Sequence, residues 1–131
     1  MKLQPDRIDV PTISGYGPGW VSVNGERTTQ SLLMSARGLR QAWPCERFET
    51  LDASHFAMLA ALDAELIVFG SGSRLRFVPP AWLAPLMARR VGFETMDTQA
   101  ACRTYNILAG EGRHVLAALL LENPTPVSAN C

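Results

Sequence analysis

Apolar positions recur along this chain in two rhythms, and the switch between them predicts where strands and helices lie. Trp20-Val21-Ser22-Val23 alternates with the period of two expected of a strand, and Asn24-Gly25 after it is a favoured pair for a type I′ turn. Gln30 to Ala36 is expected to return as the second strand of that hairpin, Leu32 and Met34 sharing one face and Leu33 taking the other. Upstream, Ser14-Gly15-Tyr16-Gly17-Pro18-Gly19 reads as loop. A short extended piece over Leu39 to Trp43 is stopped by Pro44.

From Asp52 onward the rhythm becomes helical. Asp52 or Ser54 can cap a helix to about Leu62, with Phe56, Leu59 and Ala60 on its apolar stripe. Glu65 to Phe69 is a nearly continuous apolar run, as a strand covered on both faces requires. A second helical pattern spans Pro80 to Val91, with Leu83, Leu86, Met87 and Val91 inward and Gly92 as its stop. Pro85 lacks the N–H a helix interior needs, so the regular helix is expected to begin near Leu83 or Ala84, behind an irregular turn.

Phe93 to Met96 is a short strand, and Thr98 can cap a third helix that buries Ala101, Tyr105, Leu108 and Ala109 and ends at Gly110. His114 to Leu121, apolar almost throughout, is expected at the centre of the sheet. Asn123 to Cys131, with Pro124 and Pro126, reads as a loose tail. Parallel strands joined by helices take right-handed crossovers. The fold expected is therefore α/β: a small three-layer sandwich with a mixed, partly parallel sheet flanked by helices and an N-terminal β-hairpin. One domain accounts for residues 1–131, with an ordered core over about 8–122.

Charge and cysteines narrow the functional classes. Twelve basic residues balance twelve acidic ones, so no excess charge draws nucleic acid or an anionic membrane. Zero net charge is compatible with self-association, which keeps a homodimer among the expectations. Cys45, Cys102 and Cys131 are scattered and odd in number, which gives neither a disulfide framework nor a zinc site. Met1 to Val10 carries Lys2 and Arg7 but no apolar signal region, and no stretch approaches the roughly 18 apolar residues of a membrane span. A cytoplasmic location is expected, with no metal or cofactor.

The candidate chemistry sits in loops. Gly70-Ser71-Gly72-Ser73 follows a buried strand as a phosphate-binding turn would, but no Gly-Lys-Ser/Thr follows and the next helix starts late; a tight turn leaving the sheet explains it as well. Ser71 does not stand in G-x-S-x-G, and His114 is placed at the opposite sheet edge, so a triad with Asp97 or His55 is disfavoured. Asp97-Thr98 precedes the third helix at the edge that also holds the Gly-Ser loop, where α/β sheets keep ligand sites. Arg103 and Asn106 fall on that helix's more exposed flank, and Arg113 can pair with Glu111 or Glu94. The surface expected to bind joins Gly70, Ser71, Gly72, Asp97 and Thr98, with Arg103 and Asn106 beside it.

Taken in order, Glu65-Leu66-Ile67-Val68-Phe69-Gly70-Ser71-Gly72, Pro79-Pro80, Gly92-Phe93-Glu94, Met96-Asp97-Thr98, Ala101, Arg103-Thr104-Tyr105-Asn106, Leu108 and Glu111-Gly112-Arg113 form a specific series. The chain thereby resembles a bacterial domain-of-unknown-function family related to mitochondrial NADH dehydrogenase (complex I) assembly factor three. The resemblance covers most of residues 13–121 and implies a compact three-layer α/β fold with no established enzymatic activity. It also implies a noncatalytic protein-binding or assembly-factor role with another protein as partner. A small-molecule or anion-binding enzyme using the crevice between Gly70–Gly72 and Asp97-Thr98 is the competing expectation.

Overall fold

The computed structural model describes residues 10–122; the expected tail and Cys131 lie outside the described residues. Three antiparallel strands open the chain, β1 (Ile13–Gly17), β2 (Trp20–Val23) and β3 (Glu26–Thr28). The hairpin forms at Asn24-Gly25, where both residues take positive φ, 51° and 89°. Its returning strand is β3, not Gln30 to Ala36; Val21 pairs with Thr28 and Val23 with Glu26. The tight turn brings the chain back at once, before the apolar run that suggested the longer strand. β1 also corrects the expected loop. Gly17 lies under Trp20, where a Cβ would come 2.5 Å from the indole nitrogen, so glycine here admits a tryptophan across the neighbouring strand.

Five strands form the main sheet: β4 (Leu32–Ser35), β5 (Arg40–Ala42), β6 (Leu66–Gly70), β7 (Gly92–Met96) and β8 (Val115–Leu119), in the order β5-β4-β8-β6-β7. β8 is central, parallel to β6 and antiparallel to β4, and β6 is parallel to β7. The mixed sheet follows from the connections. β6, β7 and β8 are joined through helices, which carry the chain back to its starting edge, whereas β4 turns directly into β5.

Alternation along these strands builds two cores. Leu32, Met34, Val68, Val115, Ala117 and Leu119 face α3 (Thr98–Gly110) and the small sheet, with Val21, Val23 and Tyr105. Leu33, Ile67, Phe69, Leu116, Ala118 and Leu120 face the other side. There they meet Phe56 and Leu59 of α1 (Ala53–Ala60) and Leu86 of α2 (Ala84–Ala88). Phe56, Phe69 and Trp43 meet edge to face, centroids 5.5–6.0 Å apart, the geometry ring quadrupoles favour. The main sheet is the middle of three layers.

Pro85 acts as expected: a 3-10 turn over Pro80–Leu83 precedes α2, and Pro85 falls in the first turn, where no N–H is needed. Two details differ. Met87 points outward and is 69% exposed, because α2 has too few turns to present a second inward row. Beyond the helix and its cap at Arg89, Arg90 takes φ 60°, which lets the Val91 N–H reach the Leu86 carbonyl at 3.0 Å; Gly92 instead opens β7.

Candidate functional site

The carboxyl ends of β6, β7 and β8 share one edge, and the Gly-Ser loop and the start of α3 do meet there. They meet as a closed join. The Ser71 N–H donates to the Met96 carbonyl at 2.8 Å and the Thr98 N–H to the Gly72 carbonyl at 2.9 Å. The Gly72 N–H in turn donates to the Thr98 hydroxyl at 2.9 Å, which donates onward to the Leu120 carbonyl at 2.8 Å. Three strand ends are thus tied through one threonine. Helix capping falls to Asp97, whose carboxylate accepts from the Ala100 N–H at 3.2 Å, so Thr98 is not the cap.

The glycines serve this closeness. A Cβ on Gly70 would stand 2.9 Å from the Thr98 Cα, and Gly72 has φ 104° with Arg76 and Glu122 packed over it. Ser71 is fully buried. Its hydroxyl donates to the Arg74 carbonyl at 2.8 Å and accepts from the Arg76 N–H at 2.9 Å, which folds the next loop back upon itself. The Arg76 guanidinium donates to the Ser71 carbonyl at 2.7 Å, pairs with Glu122 and lies over the Phe48 ring at 4.5 Å.

That clamp has an outward consequence. Arg76 and Val78 turn inward, so the residues between and before them, Phe77 and Leu75, turn outward along the same extended segment. Phe77 is 70% exposed and Leu75 52%. No nucleophile pair forms at the join. Both His55 ring nitrogens are engaged, Nε2 with the Pro44 carbonyl at 2.8 Å and Nδ1 with the Asp52 N–H at 3.1 Å. His114 lies at the other edge, before β8.

The remaining candidates separate. Asn106 is half-buried and its amide clasps the Ile13 backbone, accepting from N–H at 2.9 Å and donating to C=O at 2.8 Å, which docks β1 on α3. Arg103 stays exposed and donates to the Tyr16 hydroxyl at 3.2 Å. Arg113 pairs with Glu65 at 3.0 Å rather than with Glu111 or Glu94, because the β8 start lies beside the β6 start. The His114 N–H and Arg113 together hold the Glu65 carboxyl below its ordinary range.

An open cavity of about 800 Å³ lies at the other half of the same edge, lined by Ser31, Trp43, Cys45, Arg47 and Leu121 among others. Sequence reasoning missed it, since β4 and β5 bring residues from opposite ends of a hairpin to this edge; Trp43-Pro44-Cys45 after β5 was the available signal. The Cys45 thiol is pushed up to about 12 by burial, which disfavours the thiolate a nucleophile requires. Among the described residues no group of three or more His, Cys, Asp or Glu could hold a metal ion. No helix among them is long and apolar enough to cross a membrane.

The architecture and its motif order have relatives. The profile of the family described as protein of unknown function (DUF498/DUF598) matches residues 13–120. The chain belongs to this family. A crystal structure of a protein from Bordetella parapertussis shares 39% identity and a TM-score of 0.80, covering 86% of this chain and 97% of that one. An uncharacterized protein of Rhodobacter capsulatus is 37% identical over 110 residues, 82% of each chain. NADH dehydrogenase (ubiquinone) 1 alpha subcomplex assembly factor 3 of Bos taurus is 29% identical over 110 residues. That match takes in 82% of this chain and 59% of the bovine protein, so the chain spans less than two thirds of that relative.

Proposed function

We propose that this DUF498/DUF598 member is a noncatalytic, cytoplasmic protein-binding domain of the assembly-factor type, acting on another protein during assembly of a respiratory complex. The observation that carries the reading is the outward pair Leu75 and Phe77, held on a loop whose other side is locked by Arg76 and Val78. Exposed large apolar groups on a rigid segment cost little entropy when a partner covers them, which is what an anchor at an interface needs. Asp97, at the start of α3, and Arg103, on its exposed flank, stay on the surface proposed for binding as polar groups. The similarity to a complex I assembly factor supports the partner class.

The test is affinity capture from native lysate with wild type and with a Leu75→Ser, Phe77→Ser double variant. Loss of one discrete partner by the variant supports the reading; an unchanged set of captured proteins contradicts it. The competing small-molecule reading draws support from the cavity beside Trp43 and Cys45. A bound metabolite released on denaturing protein purified under mild conditions would favour it.

A further inference from the structure

Leu75 and Phe77 open a longer apolar face. Beyond them the chain dips into the core at every fourth position, with Val78, Trp82 and Leu86 all in or against the cluster on the α1 side of the main sheet. Val78 and Leu86 are buried, and Trp82 stacks on Phe56 with ring centroids 5.9 Å apart. The positions between these three are held on the outside of the same layer, and residues 79–81, 84, 85, 87 and 88 are exposed. Residues 79–88 include no charged, hydroxyl or amide side chain. Soluble proteins seldom leave such a run uncovered. Leu75, Phe77 and Met87, three of the four exposed large apolar side chains among the described residues, belong to this one segment.

Charge brackets the segment with one sign. Arg74 stands before it and Arg89 and Arg90 after it, and no Asp or Glu occurs between Glu65 and Glu94. α1, which packs beside the 3-10 turn and α2, has no acidic residue over Ala53–Ala60. Arg76 is turned under the loop onto Glu122 and Glu49, and Arg89 donates to the Ala60 carbonyl. Arg74 and Arg90 are exposed and have no ion-pair partner among the described residues. We propose that this face docks an amphipathic segment of a partner protein, apolar along its middle and carrying Asp or Glu at both ends. The proposal rests on the reading of Leu75 and Phe77 as an anchor and adds the chemistry of the partner.

The same charges argue against the other occupants. In a twofold contact each patch meets itself, so a second copy laid on this face sets arginine against arginine with no acid between them. An anionic membrane draws clusters of about four to eight basic residues and favours tryptophan at its headgroup level. Here the unpaired arginines stand singly at the two ends of the segment, and Trp82 is turned inward onto Phe56. A protein segment meets both requirements, since its apolar side chains cover Leu75, Phe77 and Met87 while its terminal carboxylates reach Arg74 and Arg90. The 3-10 turn and α2 together extend roughly 15 Å, which about ten residues of a partner helix span.

A displayed library of random peptides, selected on the whole protein, tests this. Wild type is expected to enrich sequences with an apolar middle and Asp or Glu near both ends. An Arg74→Glu, Arg90→Glu variant should bind an enriched peptide about tenfold more weakly, and fresh selection on that variant should return Lys or Arg at the ends. Met87→Glu should also weaken binding, which docking confined to the Leu75 loop would not show. These positions are exposed, so the core is untouched by the changes. Enrichment that survives Leu75→Ser, Phe77→Ser contradicts the anchor itself. Enrichment that needs Leu75 and Phe77 but ignores the charge reversal or Met87→Glu leaves the anchor standing and overturns the acidic-ended partner. So does a library that yields no enriched sequence while wild type, but not Arg74→Glu, Arg90→Glu, sediments with phosphatidylglycerol vesicles.

Discussion

The hydroxyl of Thr98 accepts the Gly72 N–H at 2.9 Å, and through it the loop after β6 is fastened to the first turn of α3. The same oxygen satisfies the Leu120 carbonyl at 2.8 Å, beyond the end of β8. Thr98→Val keeps the volume but leaves a buried donor and a buried acceptor unpaired. A loss of about 2–4 kcal/mol in urea unfolding is expected, since each orphaned group costs roughly 1–3 kcal/mol. Thr98→Ser retains the oxygen and should cost less than half as much.

Gly70→Ala tests the closeness of the join. The added methyl would stand 2.9 Å from the Thr98 Cα and 3.2 Å from the Ala101 Cβ, with backbone on one side that cannot yield cheaply. Overpacking of this kind typically costs about 1–3 kcal/mol. A midpoint unchanged in denaturant titration would show that α3 can slide away from β6.

Ser71→Ala should release the loop rather than the core. It removes the acceptor of the Arg76 N–H at 2.9 Å and the donor to the Arg74 carbonyl at 2.8 Å. The expected outcome is faster limited proteolysis at Arg74 together with a stability loss of about 1–2 kcal/mol. Cleavage at the wild-type rate would contradict the clamp.

Acid stability follows from two carboxylates. Asp52 is lowered by hydrogen bonds from the Ser54 hydroxyl and N–H, and Glu65 by the His114 N–H and Arg113. A carboxylate whose folded value is depressed adds stability above its unfolded value near about 4, and that stability is lost as pH falls through the folded value. Urea midpoints should therefore drop on acidification below about pH 4, and a combined Asp52→Asn, Glu65→Gln variant should flatten that part of the curve. A parallel curve for the variant would place the acid sensitivity elsewhere.

Much of this fold is written in the order of apolar runs. The strand-helix series from Leu66 to Leu119, the centrality of β8 and the late start of α2, with Pro85 in its first turn, all follow from periodicity and from what proline lacks. What was hidden depends on contacts between distant residues. β1 is a strand because Trp20 lies over Gly17, which composition alone turns into a loop. Asn106 looks like a surface amide until Ile13 arrives to be bound by it. Ser71 and Thr98 share the sheet edge that the sequence assigned them, but their hydroxyls are spent on backbone groups of three separate segments, and no local pattern records that. The outward pair Leu75 and Phe77 escaped notice for the converse reason: only the inward turn of Arg76 reveals the face left behind.

The claim that Leu75 and Phe77 anchor a protein partner is tested most directly by in vivo photocrosslinking. A photoreactive amino acid replaces Phe77 in one variant and the exposed Glu111, at the opposite end of α3, in another. The account predicts a discrete heavier adduct from position 77 that disappears with Leu75→Ser, and none from position 111. No adduct from 77, or the same adduct from both positions, would contradict it.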